Sequence, residues 1–213
     1  MLSNMTPTIT RRDAVSAWVR SGIIDFCLYF ELDEKWYYYN AFFLHQGLEK
    51  LCKAYEIGKR ASEYEGRPEQ DALVIIEQMV KKLSHKLEPT LSELVDSKVI
   101  SMSDWKIGGK DWTQIIGILE KGYEECRYPL PISPVYRSYP MKGKKGLYED
   151  PLPSTDLRDL AYNIARQIIK KIEAEFSIPI SRDKTTFNRS IDDGQWERFC
   201  RLFFEVKDSG GRG

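Results

Sequence analysis

At 213 residues the chain is long enough for one sizeable domain with a core of its own, and 42% apolar with 30% charged residues excludes a disordered protein. Lys plus Arg equals Asp plus Glu at 32 each, which excludes a global field that draws the protein to nucleic acid or an anionic membrane; such binding needs a local patch. The first residues, MLSNMTPTITRRD, lack the apolar stretch of a signal peptide and no hydrophobic run approaches a membrane span, so the expectation is a cytoplasmic protein without a membrane partner.

Thr10 is placed to cap a helix beginning near Arg11. Val15, Trp18, Val19, Phe26 and Phe30 make one broad face, with Gly22 in the same row where another backbone can come close. Asp33 is a cap for a second helix, which runs through YYYNAFFLHQGLEKLCKAYE to about Ile57 and is stopped by Gly58. Ala41, Leu44, Leu48, Leu51 and Tyr55 recur at steps of three and four and form its apolar stripe. Gln46, Glu49, Lys50 and Lys53 form a polar row on the same helix, open to two readings: a ligand-facing ledge or a solvated face.

Residues 58–70, with two glycines, a proline and mixed charges, read as an exposed loop. A third helix follows with Leu73, Ile76, Val80, Leu83 and Leu87 in step. Pro89 disfavours helix at Glu88 and suits a first turn, so a break near His85 to Glu88 leads into a short helix carrying Leu91, Leu94 and Val95. SMSDWKIGGKD reads as a loop. Asp111 then caps a helix whose Trp112, Ile115, Ile116, Leu119, Tyr123 and Cys126 share one face.

Residues 127–153 change character, holding six of the ten prolines. Arg127, Arg137, Lys142, Lys144 and Lys145 are interleaved there with Tyr128, Tyr136, Tyr139 and Tyr148, with no acidic residue between Glu125 and Glu149. This is the one locally basic, aromatic stretch. Ser154 or Thr155 caps a further helix with Leu157, Leu160, Ile164, Ile168, Ile172 and Phe176 inward, ended by Pro179. A last amphipathic segment, Asp193 to about Val206, presents Trp196, Phe199, Cys200 and Phe203 on one side; that face either closes the bundle or meets a second copy.

No strand alternation, βαβ rhythm or internal repeat is present. The expected fold is all-α: an antiparallel helical bundle of about five to six helices with a long Pro/Tyr/Lys-rich loop before the penultimate helix. The expected organisation is an N-terminal helix over 1–32, a helical domain over 33–176, and a C-terminal amphipathic helix with a disordered end over 177–213.

The four cysteines are scattered without a C-x-x-C pair and only two histidines accompany them, so buried reduced thiols are expected and no metal or cofactor. Phosphate-loop, dinucleotide, nucleophile-elbow and zinc-protease templates all fail; at Gly108-Gly109-Lys110 the first glycine of a phosphate loop is Asp104.

Three elements in order carry a resemblance: Gln46-x-x-Glu49-Lys50-x-x-Lys53-Ala54 on the second helix, His85-Lys86-Leu87 after the third, and Arg127-Tyr128-Pro129 after the fourth. Over roughly Asp33 to Phe176 the chain resembles HEPN domains, small all-α modules named for nucleotide binding in higher eukaryotes and prokaryotes. The resemblance implies a nucleotide, RNA or protein partner and pairing as a homodimer. It also implies that a ligand meets Lys50, Lys53, His85 and Arg127, with Tyr128 as a stacking surface, in one cleft between the second helix and the long loop.

Many members of that family are metal-independent ribonucleases with Arg, four to six residues, then His on one helix. The positions preceding His85 at those spacings are Gln78, Met79 and Val80, and those preceding His45 are Tyr38, Tyr39 and Asn40. The nuclease motif is absent, so the leading expectation is a non-catalytic binding module. Two alternatives stand beside it. One is a divergent ribonuclease of the toxin or antiviral-defence type, using His85 with Lys81, which shares its face if the helix persists, or with an arginine brought in from elsewhere, such as a partner subunit; the other is a structural adaptor that binds through its apolar last helix.

Overall fold

The computed structural model describes residues 7–31, 37–83, 85–102, 105–107, 109–127, 154–180 and 193–204. Among them the chain forms seven α-helices: α1 (Arg11–Glu31), α2 (Tyr37–Lys59), α3 (Glu69–Lys82), α4 (Leu87–Asp96), α5 (Trp112–Arg127), α6 (Ser154–Phe176) and α7 (Asp193–Phe203). The fold is an all-α helical bundle. A two-rung antiparallel ribbon of β1 (Lys106–Ile107) and β2 (Lys110–Asp111) sits inside the segment expected to be loop. The proposed cap Asp33 and the basic stretch 128–153 lie outside the described residues.

The ends of the helices follow from local chemistry. Thr10 Oγ1 accepts from the Asp13 backbone N–H at 3.2 Å while Asp13 Oδ2 accepts from the Thr10 N–H at 3.1 Å, a reciprocal cap that opens α1. Asp111 and Gln114 do the same for α5, at 3.0 Å each way. Hydrogen bonds from the Thr113 hydroxyl and the Gln114 N–H hold the Asp111 carboxyl below its ordinary range.

α2 is the axis of the bundle and packs against α1, α5 and α6. Its expected stripe, Ala41, Leu44, Leu48, Leu51 and Tyr55, is buried throughout. Two glycines let α1 and α2 cross closely: a Cβ on Gly22 would stand 3.1 Å from the Gly47 carbonyl oxygen, and one on Gly47 would stand 2.8 Å from the Phe26 ring. α1 and α7, outside the 33–176 unit drawn from sequence, both contribute to the main core.

α7 closes the bundle. Trp196, Phe199 and Phe203 are buried, with the Phe203 ring 5.1 Å from that of Phe26 and 5.0 Å from that of Tyr162. Arg166 Nε donates to the Leu202 carbonyl at 2.7 Å and pins the helix end. The apolar face on which the adaptor and second-copy readings drew is therefore covered by the chain itself.

Four local expectations are corrected. Gly58 does not stop α2, which runs on to Lys59; the glycine is there because the Phe176 ring lies where its Cβ would be. Residues 58–70 are not simply an exposed loop, since Ala61–Glu63 form a 3-10 turn and Tyr64 is fully buried in a second small core with Ile57, Ala72, Ile76 and Met79. The buried stripe of α3 is Ala72, Ile76 and Met79, and Leu73 with Val74 is exposed. Leu87 belongs to α4, where Leu91 and Leu94 are buried as expected.

Helix propensity alone favours Ala over Gly by about 1 kcal/mol. Gly58→Ala is nevertheless expected to destabilise by about 1–3 kcal/mol in urea titration, because the methyl group is forced into the Phe176 ring. Adding Phe176→Leu should recover most of the loss; a stabilised single variant would overturn this account.

Candidate functional site at the elbow between α3 and α4

α3 cannot continue past Lys82 because Leu83 and Lys86 take extended backbone conformations, and Pro89 then sits in the first turn of α4. The elbow swings His85 back over α2. Its Nδ1 lies 2.9 Å from Glu49 Oε1, while the ring itself remains outside, with the side chain 62% exposed.

Glu49 is the centre of the arrangement and is only 6% exposed. Lys53 Nζ, one turn on and 5% exposed, pairs with the same oxygen that meets His85. Gln46 Nε2, one turn back, donates to the other oxygen at 3.1 Å. A carboxylate removed from water is stable only when charge and lone pairs are met, and here one cation and two further polar groups meet them. The polar row of α2 is thus neither an open ledge nor a solvated face at these two positions: it is packed beneath the elbow.

His45 lies behind the same cluster with 0% exposure. Its ring stacks on Tyr123 of α5, centroids 4.0 Å apart and planes 6° from parallel, and Phe42 stacks on Tyr123 as well, at 5.5 Å. Neither ring nitrogen completes a hydrogen bond of good geometry: Glu49 Oε2 is 3.8 Å from Nδ1, and the His85 backbone offers only a weak contact, which works against the shift described next. Burial first, then the nearby His85 and Lys53 charges, push the His45 imidazole down to about 3. His45 is a neutral ring on the inward side of α2.

The residues expected to bind ligand do not behave alike. Lys53 and His85 share Glu49, as described. Lys50 turns to α1, where its Nζ is 2.7 Å from Asp25 Oδ2; burial raises the Asp25 carboxyl, and Lys50 works against that shift. Arg127 is the last residue of α5, and Tyr128 lies outside the described residues. Lys81 pairs with Glu77 at 2.7 Å on the exposed side of α3, and the helix ends before His85, so these two do not share a helix face as the nuclease alternative supposed.

The elbow as a whole is cationic outside and balanced inside. Lys82, His85 and Lys86 are exposed along it, and Lys81, exposed as well, is paired with Glu77. The surface dips between Lys53, Leu83, Lys86, Leu87 and Thr90 without enclosing space for a whole ligand, so any ligand here meets surface groups. Cys52 also lines this dip, but burial pushes its thiol up to about 12, which leaves no thiolate nucleophile at neutral pH. Among the described residues no cluster of three or more His, Cys, Asp or Glu has a metal-holding arrangement.

Sequence reasoning found His85 and Lys53 but missed that Glu49 joins them and that His45 is buried. The available signal was the opposite charges at Glu49 and Lys53, four apart on one helix; nothing local in the sequence announces that an elbow 36 residues away covers them. No family model, no curated protein and no solved structure matches the chain, so the site stands on its own geometry.

Proposed function

We propose that the protein is a HEPN-like binding module that takes a phosphate-bearing ligand, a nucleotide or RNA, at the elbow between α3 and α4. The observation that carries this reading is an exposed histidine held at 2.9 Å by a buried, lysine-paired carboxylate, within a run of exposed cations. With zero net charge over the chain, such a local patch is what phosphate binding requires. The order of the Gln46, His85 and Arg127 motifs supports the same assignment, and with it pairing as a homodimer.

The test is a thermal-shift screen of the full chain against nucleotides and short single-stranded RNA. A ligand at a hundred times its Kd stabilises the native state by about 2.7 kcal/mol, which a melting scan detects. The shift is expected to disappear in His85→Ala/Lys86→Ala, whose parent residues are exposed, with the melting temperature of the ligand-free variant as the check that it folds. An unchanged shift in that variant would remove the elbow as the site.

One feature favours a second reading, a divergent metal-independent ribonuclease of the toxin or antiviral-defence type. A carboxylate that orients an exposed imidazole is an arrangement suited to proton transfer. Running the same RNA samples on a gel separates the two: cleavage abolished by His85→Ala supports the nuclease, and intact RNA leaves the binding module.

A further inference from the structure

We infer that Glu49 is the positioning residue of this site: it fixes the His85 ring so that Nδ1–H points inward and Nε2 is presented to the ligand as a hydrogen-bond acceptor. The inference rests on the elbow reading above and deepens it. An ionised carboxylate only accepts, so the 2.9 Å contact makes Nδ1 the donor. Lys53 meets the same Glu49 oxygen, so what the carboxylate takes from His85 is an N–H rather than the cation that balances it. Gln46 holds the second carboxylate oxygen at 3.1 Å and stops the group from turning away.

The consequence is chemical selectivity. A neutral ring with Nδ1 protonated carries a lone pair at Nε2, which repels a phosphate oxygen and welcomes a hydroxyl. Phosphate contacts fall to Lys82 and Lys86 on either side, and His85 faces a hydroxyl on the adjoining sugar. Glu49 is the charged group in contact with the ring and Lys53 shares its oxygen; Lys82 and Lys86 flank His85 in the chain, Lys81 is paired with Glu77, and Glu120 on α5 reaches the start of α4, where its Oε1 accepts from the Glu88 N–H at 2.9 Å.

The experiment has two readouts. Long-range proton–nitrogen correlation spectra of the 15N-labelled full chain at alkaline pH report the tautomer of His85, assigned by its loss in His85→Ala. The expected result is Nδ1–H in the parent and a change to predominantly Nε2–H in Glu49→Met/Lys53→Met. Removing both members of the buried pair keeps the interior neutral, so the variant folds where Glu49→Met alone need not. The second readout is the affinity for a ribo-oligonucleotide against the 2′-deoxy oligonucleotide of the same sequence. The parent is expected to prefer the former by on the order of tenfold, one net hydrogen bond, and the double variant to show no preference.

An Nε2–H tautomer in the parent, or an unaltered tautomer in the double variant, would overturn the role of Glu49 even if both oligonucleotides bind. Equal affinities with the Nδ1–H tautomer in place would overturn the hydroxyl contact. Absence of binding by either oligonucleotide, with that tautomer in place, strikes the elbow reading and the hydroxyl contact together while supporting the positioning of His85.

Discussion

Glu49→Ala is expected to destabilise the protein by about 3–5 kcal/mol, a large share of the 5–15 kcal/mol that holds a domain of this kind folded. The reason is less the lost contact than what stays behind. Lys53, 5% exposed, is left as an uncompensated ammonium beneath the elbow, with only the Trp18 ring 5.7 Å away as a weak substitute. Gln46 and His85 lose their acceptor as well. Glu49→Met/Lys53→Met should return to within about 1 kcal/mol of the parent, because apolar side chains of similar volume replace the pair without an orphaned charge. Equilibrium urea unfolding of the parent, Glu49→Met, Lys53→Met and the double variant measures this as a cycle. Additive losses across it would show that the two residues are not coupled, and with that the electrostatic account of the cluster would fail.

A loss of about 2 kcal/mol of stability between neutral pH and about pH 5 is the second large effect, and it comes from His45. The unfolded chain binds a proton on this imidazole near 6.5, whereas the folded chain holds it neutral down to about 3. Between those values the unfolded state carries more protons, so stability present above the upper value is progressively lost as pH falls. His45→Phe keeps a flat ring against Tyr123 and removes two buried, poorly partnered nitrogens, so it should be about as stable as the parent at neutral pH and lose most of this acid dependence. Urea midpoints at the two pH values decide the matter: parallel losses in parent and variant would mean that another group carries the acid sensitivity.

Helical periodicity carried the parts of this fold in which burial and sequence period coincide. The stripes of α2 and α5, the inward Leu157, Leu160, Ile164, Ile168 and Ile172 of α6, and the caps at Thr10 and Asp111 were legible because each is decided within a turn or two of chain. α3 was read out of phase for a physical reason: it packs with the small residue Ala72 and with Met79, while its larger Leu73 and Val74 face outward, so size pointed the wrong way. Gly58 misled likewise, since a ring from a helix more than a hundred residues later explains it better than its backbone freedom.

The candidate site was half legible. Gln46, Glu49 and Lys53 were visible as a row, and His85 as a residue at a break. Their union was not, because it depends on where the elbow falls against α2, a tertiary fact with no periodic trace. For the same reason a polar helix face that is buried under a cationic elbow reads like one that is merely wet.

The closure of the bundle by α7 has a bearing on how the protein is made. Phe26 leaves the ribosome well before Phe203, the ring it packs against. Until then the aromatic side of α1, with Phe26, Phe30 and the later Tyr162, lacks its lid, and the nascent chain carries an open apolar seam of the kind that chaperones hold. Completion of the core is therefore a late, long-range step. Changes in α7 should reveal themselves first as poor soluble yield in the cell, before any effect on the elbow is seen.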